Sequence, residues 1–276
     1  MKNNVYQIFY SDDTRLALDP GFLPLDNSGQ RPDWYEYGAI RHFFRTREID
    51  PNTRYGFLSP RFAQKTRLNS ATVMEFASAS PDDVDVITFS PYFDQAAFFT
   101  NVFEHASACH PEIGPAQNGV LSLLAPGMDI GSLVMSSVQT VYCNFLIATP
   151  AFWREWLRLC EVIYNVAEDG TTELARQLNA DVKYEQTRAP AKIFLIERVV
   201  SLILATQRTW KVRNFNPMTL PIANERLGRF GTELAAMDAL KRAANETGFG
   251  HYVAAFLNLR NQVNSQLQAA AAGHAR

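Results

Sequence analysis

Apolar residues fall along the chain in two rhythms. Short solid runs of β-branched and aromatic residues read as strands: VYQIFY (Val5–Tyr10), YGFLS (Tyr55–Ser59), DVDVITFSP (Asp83–Pro91), VYCNFLIA (Val141–Ala148) and TWKVRNFN (Thr209–Asn216). Between them lie longer stretches with apolar residues every three or four positions, which read as helices. These are WYEYGAIRHFFR (Trp34–Arg45), LNSATVMEFASAS (Leu68–Ser80), FDQAAFFTNVFEHA (Phe93–Ala106), TPAFWREWLRLCEVIYNVAE (Thr149–Glu168) and AKIFLIERVVSLIL (Ala191–Leu204). Thr149 and Pro150 suit the N-cap and first position of their helix, and Phe152, Trp156, Leu159, Cys160 and Ile163 form its core stripe. Asn69 or Ser70 is the expected cap of the second helix. The Ala-rich C-terminal part is expected to be helical, with a stripe of Tyr252, Phe256, Leu259, Val263 and Leu267. Asp19–Asp33 (DPGFLPLDNSGQRPD) reads as a long loop, and Pro111–Gly131 gives no clear pattern. Strands alternating with helices predict an α/β sheet wrapped by helices. Ligands of such sheets bind beyond the carboxyl ends of the strands, so the polar residues just after each strand become the candidates.

Composition narrows the class. The chain has 276 residues, 47% hydrophobic and 20% charged, which is ordinary for a folded protein. A net charge of -2 supplies no field that would recruit nucleic acid or anionic lipid, and no basic-aromatic platform is present. Cys109, Cys143 and Cys160 form no CxxC pair and no disulfide framework, which fits a reducing compartment. The start, MKNNVYQIFY, lacks a signal-peptide pattern, and no run reaches the ~20 apolar residues of a membrane span. A soluble, cytoplasmic protein is expected.

Several residues have chemistry to offer. Glu197 lies in an oily helix, with Ile193, Phe194, Val200 and Ser201 at i±3 and i±4. It is either a structural carboxylate paired with a distant cation or a general base at a cleft wall. Arg198 is rotated about 100° from it, so the two need not pair. After the third strand come Ser90, Asp94 and Gln95. Asp94 suits a divalent cation or a helix N-cap. Arg61 and Lys65, four apart, suit a phosphate or simply a solvated turn. Asp26 and Asn27 suit a base or ribose, or an Asx-turn. Glu104, His105 and His110 do not have zinc-motif spacing. There is no GxGxxG, no Walker A motif, no GxSxG and no convincing Ser-His-Asp order.

Three blocks in order carry a resemblance. They are NVFEHASACHPEI (Asn101–Ile113), VYCNFLIATPAFWREWL (Val141–Leu157) and RAPAKIFLIERVVSLILATQRTWKV (Arg188–Val212). Together they resemble bacterial glycosyltransferases of the GT-A type associated with surface-polysaccharide biosynthesis; Asn144–Trp153 and the LIER tetrad, Leu195–Arg198, match most closely. The resemblance implies a GT-A-like (Rossmann-like) mixed sheet flanked by helices over residues 1–225, with a C-terminal helical extension over 226–276. It implies a nucleotide-sugar donor and a saccharide acceptor. Asp26, Asn27, Tyr55, Ser59, Arg61, Lys65, Ser90 and Gln95 would then serve the donor nucleotide, and Asn144 the acceptor. Glu197 would be the base, with Arg198 beside it. Asp94 would hold a Mg or Mn ion. Two departures stand out: the family's early G-L-x-H-Y-R-R block reads YGFLSPRFAQKT here, and no D-x-D metal motif is evident. They motivate an alternative, a non-catalytic relative that binds or scaffolds in glycan assembly. The C-terminal helices are expected to pack on their own domain or form a homodimer.

Overall fold

In the computed structural model, which describes residues 1–29, 31–184 and 187–273, the chain forms an α/β fold around a mixed six-stranded sheet. Gln30, within the expected long loop, and residues 274–276 of the expected C-terminal extension lie outside the described residues. The first half runs β1 (Lys2–Phe9), α1 (Asp12–Leu16), β2 (Leu23–Asp26), α2 (Tyr35–Thr46), β3 (Thr53–Leu58), α3 (Phe62–Thr66), α4 (Ser70–Ser78) and β4 (Val86–Thr88). Next come α5 (Phe93–Phe98), α6 (Val102–Cys109), α7 (Gly114–Leu124), β5 (Leu146–Ala148), α8 (Pro150–Asp169) and α9 (Glu173–Asn179). The chain ends with β6 (Asp181–Tyr184), β7 (Thr187–Pro190), α10 (Ala191–Thr206), β8 (Val212–Asn214), α11 (Glu225–Gly228), α12 (Gly231–Thr247) and α13 (Gly250–Gly273).

The sheet order is β2-β1-β3-β5-β4-β8, and β6 and β7 form a separate antiparallel hairpin. β1, β2, β3, β4 and β8 run parallel, while β5 alone runs against its neighbours β3 and β4. Gly56 makes that insertion possible. A Cβ there would come within 2.8 Å of Ile147 Cγ1 on β5, so only glycine lets the two backbones pair so closely.

Strand residues alternate between two apolar layers, as a sheet covered on both faces requires. Tyr6, Ile8, Tyr55, Phe57, Val86, Leu146 and Ala148 face α2, α8 and α10. Val5, Leu58, Ile87 and Ile147 face the other way, onto Phe62, Val73 and Ala77 of α3 and α4. The expected α8 stripe is buried throughout, Thr149 caps that helix, and Asn69 caps α4.

Some expectations needed correction. The loop Asp19–Asp33 contains edge strand β2, paired to β1 from Leu23 to Asp26. The unclear stretch after Pro111 contains α7. The single helix expected over Phe93–Ala106 is two, because Asn101 accepts from the N–H groups of Phe103 and Glu104 and starts α6 afresh. The fourth strand keeps only Leu146–Ala148 of Val141–Ala148. The C-terminal run is likewise split, at Gly248, whose φ of 73° ends α12.

The two C-terminal helices pack on α5. Phe93 and Ala97 share a buried cluster with Leu227, Leu234, Met237, Phe256 and Val263. Arg260, expected on a polar face, pairs with Glu104 at 2.8 Å and reaches Thr100. Among the described residues, no helix is long and apolar enough to cross a membrane.

Candidate functional site

The carboxyl edge of the parallel strands is where a polar cluster forms. Its centre is the segment entering β5. Val141 N–H donates to Ser201 Oγ of α10 at 2.9 Å, and Tyr142 N–H donates to Ser90 Oγ, just after β4, at 2.9 Å. Pinned on both sides, the chain passes through Cys143 and Asn144 in left-handed backbone, φ 62° and 51°. Left-handed non-glycine residues are uncommon, and strain of this kind gathers at functional sites. Tyr35 (φ 44°), at the start of α2, and Tyr92 (φ 68°), before α5, are also left-handed and lie just beyond the same edge of the sheet.

Around this turn stand Lys65, Glu36 and Glu197. Lys65 Nζ lies 3.3 Å from Cys143 Sγ. Burial pushes the Cys143 thiol up to about 12; Lys65 opposes that shift, and Glu197 and Glu36 add to it. Glu36 is held above the usual carboxylate range by burial above all, with the charge of Glu197 adding to the shift and its own backbone N–H, Lys65 and the Tyr10 hydroxyl opposing it. A carboxylate charge nearby disfavours ionisation of a buried carboxyl group such as that of Glu36. The Tyr10 hydroxyl, just after β1, faces Glu36, and burial first, then the Glu36 carboxyl, pushes its pKa up. Asn27 donates its Nδ2 to the Tyr35 carbonyl at 3.2 Å. The buried Oδ1 atoms of Asn27 and Asn144 have no partner.

The sequence candidates divide on this geometry. Glu197, Lys65, Asn27 and Asn144 belong to the cluster. Arg198 borders it: Nε donates to the Val102 carbonyl at 3.2 Å and Nη1 to Phe194 O, so the side chain ties α10 to α6 while its charge still reaches Glu197. Ser90 holds Tyr142 in place. Ser59 is buried, and its carbonyl accepts from Gln7 at 3.4 Å. Arg61 is half-buried at the start of α3 and donates to Gln64 at 3.2 Å. Asp26 is exposed and accepts from the Ser28 N–H and hydroxyl, the Asx-turn alternative. Tyr55 points into the core at the amino half of β3, where its hydroxyl accepts from Asp50 N–H at 3.0 Å; it does not reach the edge.

Asp94 has a different role from the one the resemblance implies. Its side chain is fully buried, and it accepts from the N–H groups of Ala223 (3.0 Å) and Asn224 (2.9 Å) and from Gln95 Nε2 (2.6 Å). Both oxygens are committed to folding the 223–224 turn onto α5, and Gln95 is committed to Asp94. Neither fits as a cation ligand or a nucleotide contact here. Nor is Asp94 the N-cap of α5, a position taken by Tyr92. Among the described residues, no group of three or more His, Cys, Asp or Glu side chains is placed to hold a metal.

Glu36 and Tyr10 had no place among the sequence candidates. A Glu in the first turn of a helix is ordinary complementation of the helix dipole, so nothing in WYEYG marks it. Only the packing of α10 beside α2 brings it to Glu197. A separate open groove of about 1210 Å³ lies between α6, α7 and α13, lined by Gln117, Met128 and Arg260 among others; no member of the cluster lines it. Comparison of the chain with family models, with curated proteins and with solved structures found no match.

Proposed function

We propose that the protein is a glycosyltransferase that moves a sugar from a nucleotide-sugar donor to a saccharide acceptor, on a GT-A-like variant of the α/β fold. The observation that carries this reading is the cluster at the carboxyl edge of the parallel strands: Glu197 and Glu36 beside Lys65, grouped around the left-handed Cys143–Asn144 turn. The mixed sheet and the three-block resemblance agree with it.

In this reading an acceptor hydroxyl attacks the anomeric carbon of the donor. Its oxygen forms the new glycosidic bond, the bond from that carbon to the diphosphate breaks, and the nucleoside diphosphate leaves with the electron pair. Glu197 takes the hydroxyl proton. Lys65, with Arg61 nearby on the same short helix, offsets the charge that grows on the leaving phosphate. Asn27 faces the nucleotide side and Asn144 the acceptor side.

Incubating the protein with a panel of nucleotide sugars, with release of nucleoside diphosphate as the readout, tests this. Turnover of one donor is expected, and Glu197→Gln should reduce kcat by about 10²–10⁴-fold. A folded protein that neither binds nor turns over any donor overturns the reading and leaves the binding or scaffold alternative.

A further inference from the structure

We infer that the cleft between α2 and α8 is an anion site, built to hold the phosphate group of a small phosphomonoester. It stands apart from the cluster at the carboxyl edge, none of whose side chains line it, and it does not depend on the transferase reading. The cavity is about 280 Å³, and its walls include Arg31, Arg41, His42 and Arg45 together with the rings of Trp34 and Tyr164. Among the described residues, no acidic side chain lines it.

Helical spacing puts the cations there. Arg41, His42 and Arg45 follow Gly38 by three, four and seven positions, so all four share one face of α2. Carboxylates outside the cavity then hold the guanidinium groups in place. Glu161 on α8 accepts from Arg41 Nε at 2.6 Å and Nη2 at 3.2 Å, and from Arg45 Nη2 at 3.4 Å, so the two guanidinium groups are neighbours. Arg41 also lies 3.9 Å from the centre of the Tyr164 ring, and a guanidinium stacked and forked in this way is fixed before any ligand arrives. Arg31 donates to Asp33 and to Glu168 at 2.7–2.8 Å, and Glu168 accepts from Trp34 Nε1 at 3.0 Å.

Charge and unspent donors define the ligand. The ion-pair network joins Arg31, Arg41, Arg45 and Lys192 to Asp33, Glu161 and Glu168, which leaves one positive charge in excess. Arg31 commits Nε, Nη1 and Nη2 to its carboxylates, so it supplies field rather than new bonds. Arg41 Nη1, Arg45 Nε and Nη1 and the His42 ring have no hydrogen-bond partner among the described residues. Three side chains with donors to spare, around one small cavity, suit an acceptor with three terminal oxygens. A phosphomonoester has three and carries close to two charges, whereas a carboxylate has two oxygens and one charge. The cavity is smaller than the ~300–1,000 Å³ of sites for drug-sized ligands, so it takes the phosphate and a short polyol beside it.

The test uses the full chain and reads the cleft directly. Proton–nitrogen correlation NMR follows the Arg45 Nε–H resonance, assigned by its loss in Arg45→Lys, and the amides of α2. The protein is titrated with glycerol phosphate, inorganic phosphate and acetate at constant ionic strength. Both phosphates should shift these resonances, the ester at the lower concentration because the cavity has room beside the ion, and acetate should act far more weakly. Arg45 is mostly exposed and makes one ion pair, at 3.4 Å, so its variants should fold. Arg45→Ala should weaken phosphate binding, followed through the α2 amides, by about 10–100-fold. Arg45→Lys, which keeps the charge but not the fork, should recover only part of the loss. Lys65→Ala, at the carboxyl edge, should change nothing at the cleft. No shift with phosphate at tens of millimolar, an equal response to acetate, or unchanged affinity in Arg45→Ala overturns the site. Loss of the response in Lys65→Ala does the same, since it moves the binding to the other cluster. Equal affinity for ion and ester overturns the ester as the ligand and leaves the ion.

Discussion

His105 illustrates how one residue's surroundings become a property of the whole protein. Its ring packs edge-on against Phe99 and Tyr142, with centroids 5.1 Å away in both cases. Its buried Nδ1 has no partner. Burial, then the Arg198 charge, lowers its pKa from 6.5 to about 3. A histidine kept neutral in the fold contributes stability that is complete above its unfolded pKa near 6.5 and is lost as pH falls towards about 3. His105→Phe keeps the ring contacts and removes the titration. Urea unfolding at several pH values should show a shallower acid loss in the variant, over that interval. Asp94 gives a second prediction at this scale. Asp94→Ala strands two main-chain N–H groups from a turn 129 residues away. A destabilisation of about 2–4 kcal/mol is expected by denaturant unfolding.

Elements reveal themselves in sequence when their burial is one-sided and local. α8 was legible because its cap, its N1 proline and its stripe all lie within its own residues. β2 was not. Only Leu25 of LPLD is buried, and Pro24 is tolerated because β2 is the sheet's edge. The β6–β7 hairpin escaped notice for a related reason: it stands apart from the main sheet and has no long apolar run. At the site, the position of Glu197 was readable from the helix around it. Glu36 was not, since its partner is 161 positions away and only the α2–α10 packing joins them. Asp94 was placed correctly at a strand's end, but the turn that claims its oxygens comes from after β8. Asn101 is the element-scale test. It caps α6 through two N–H groups and also donates to the Ile130 and Leu133 carbonyls. Asn101→Ala should cost at least the ~1 kcal/mol of a lost cap, and hydrogen exchange should quicken first in α6.

At the scale of the molecule, the C-terminal helices are fastened by a buried lysine. Lys241 is fully buried and donates to the carbonyls of Ala96 and Phe99 at the end of α5, with the Phe256 ring 5.3 Å away. Desolvation lowers its pKa to about 7, with Asp238 and Glu104 opposing. Lys241→Met preserves most of the volume but leaves both carbonyls unmet. A loss of about 1–3 kcal/mol is expected in denaturant unfolding, together with faster limited proteolysis of α12 and α13.

The reversed strand β5 has a consequence for the order in which the chain can assemble during synthesis. β3 and β4 are close in sequence but are not neighbours in the sheet; each pairs with β5 instead. Until Ala148 has emerged from the ribosome, the nascent protein has a three-stranded half, β2-β1-β3, and a strand with nothing to join. β3 then presents an open, wholly buried-type edge, the kind of surface that recruits other chains. β8 can add to β4 only after Asn214 is made, and the helices that cover α5 come last of all. Pairings this distant in sequence form slowly. The central seam therefore stays open from the completion of β3 at Leu58 until β5 is complete at Ala148, and exposure to aggregation over that interval is set by the wait for one three-residue strand.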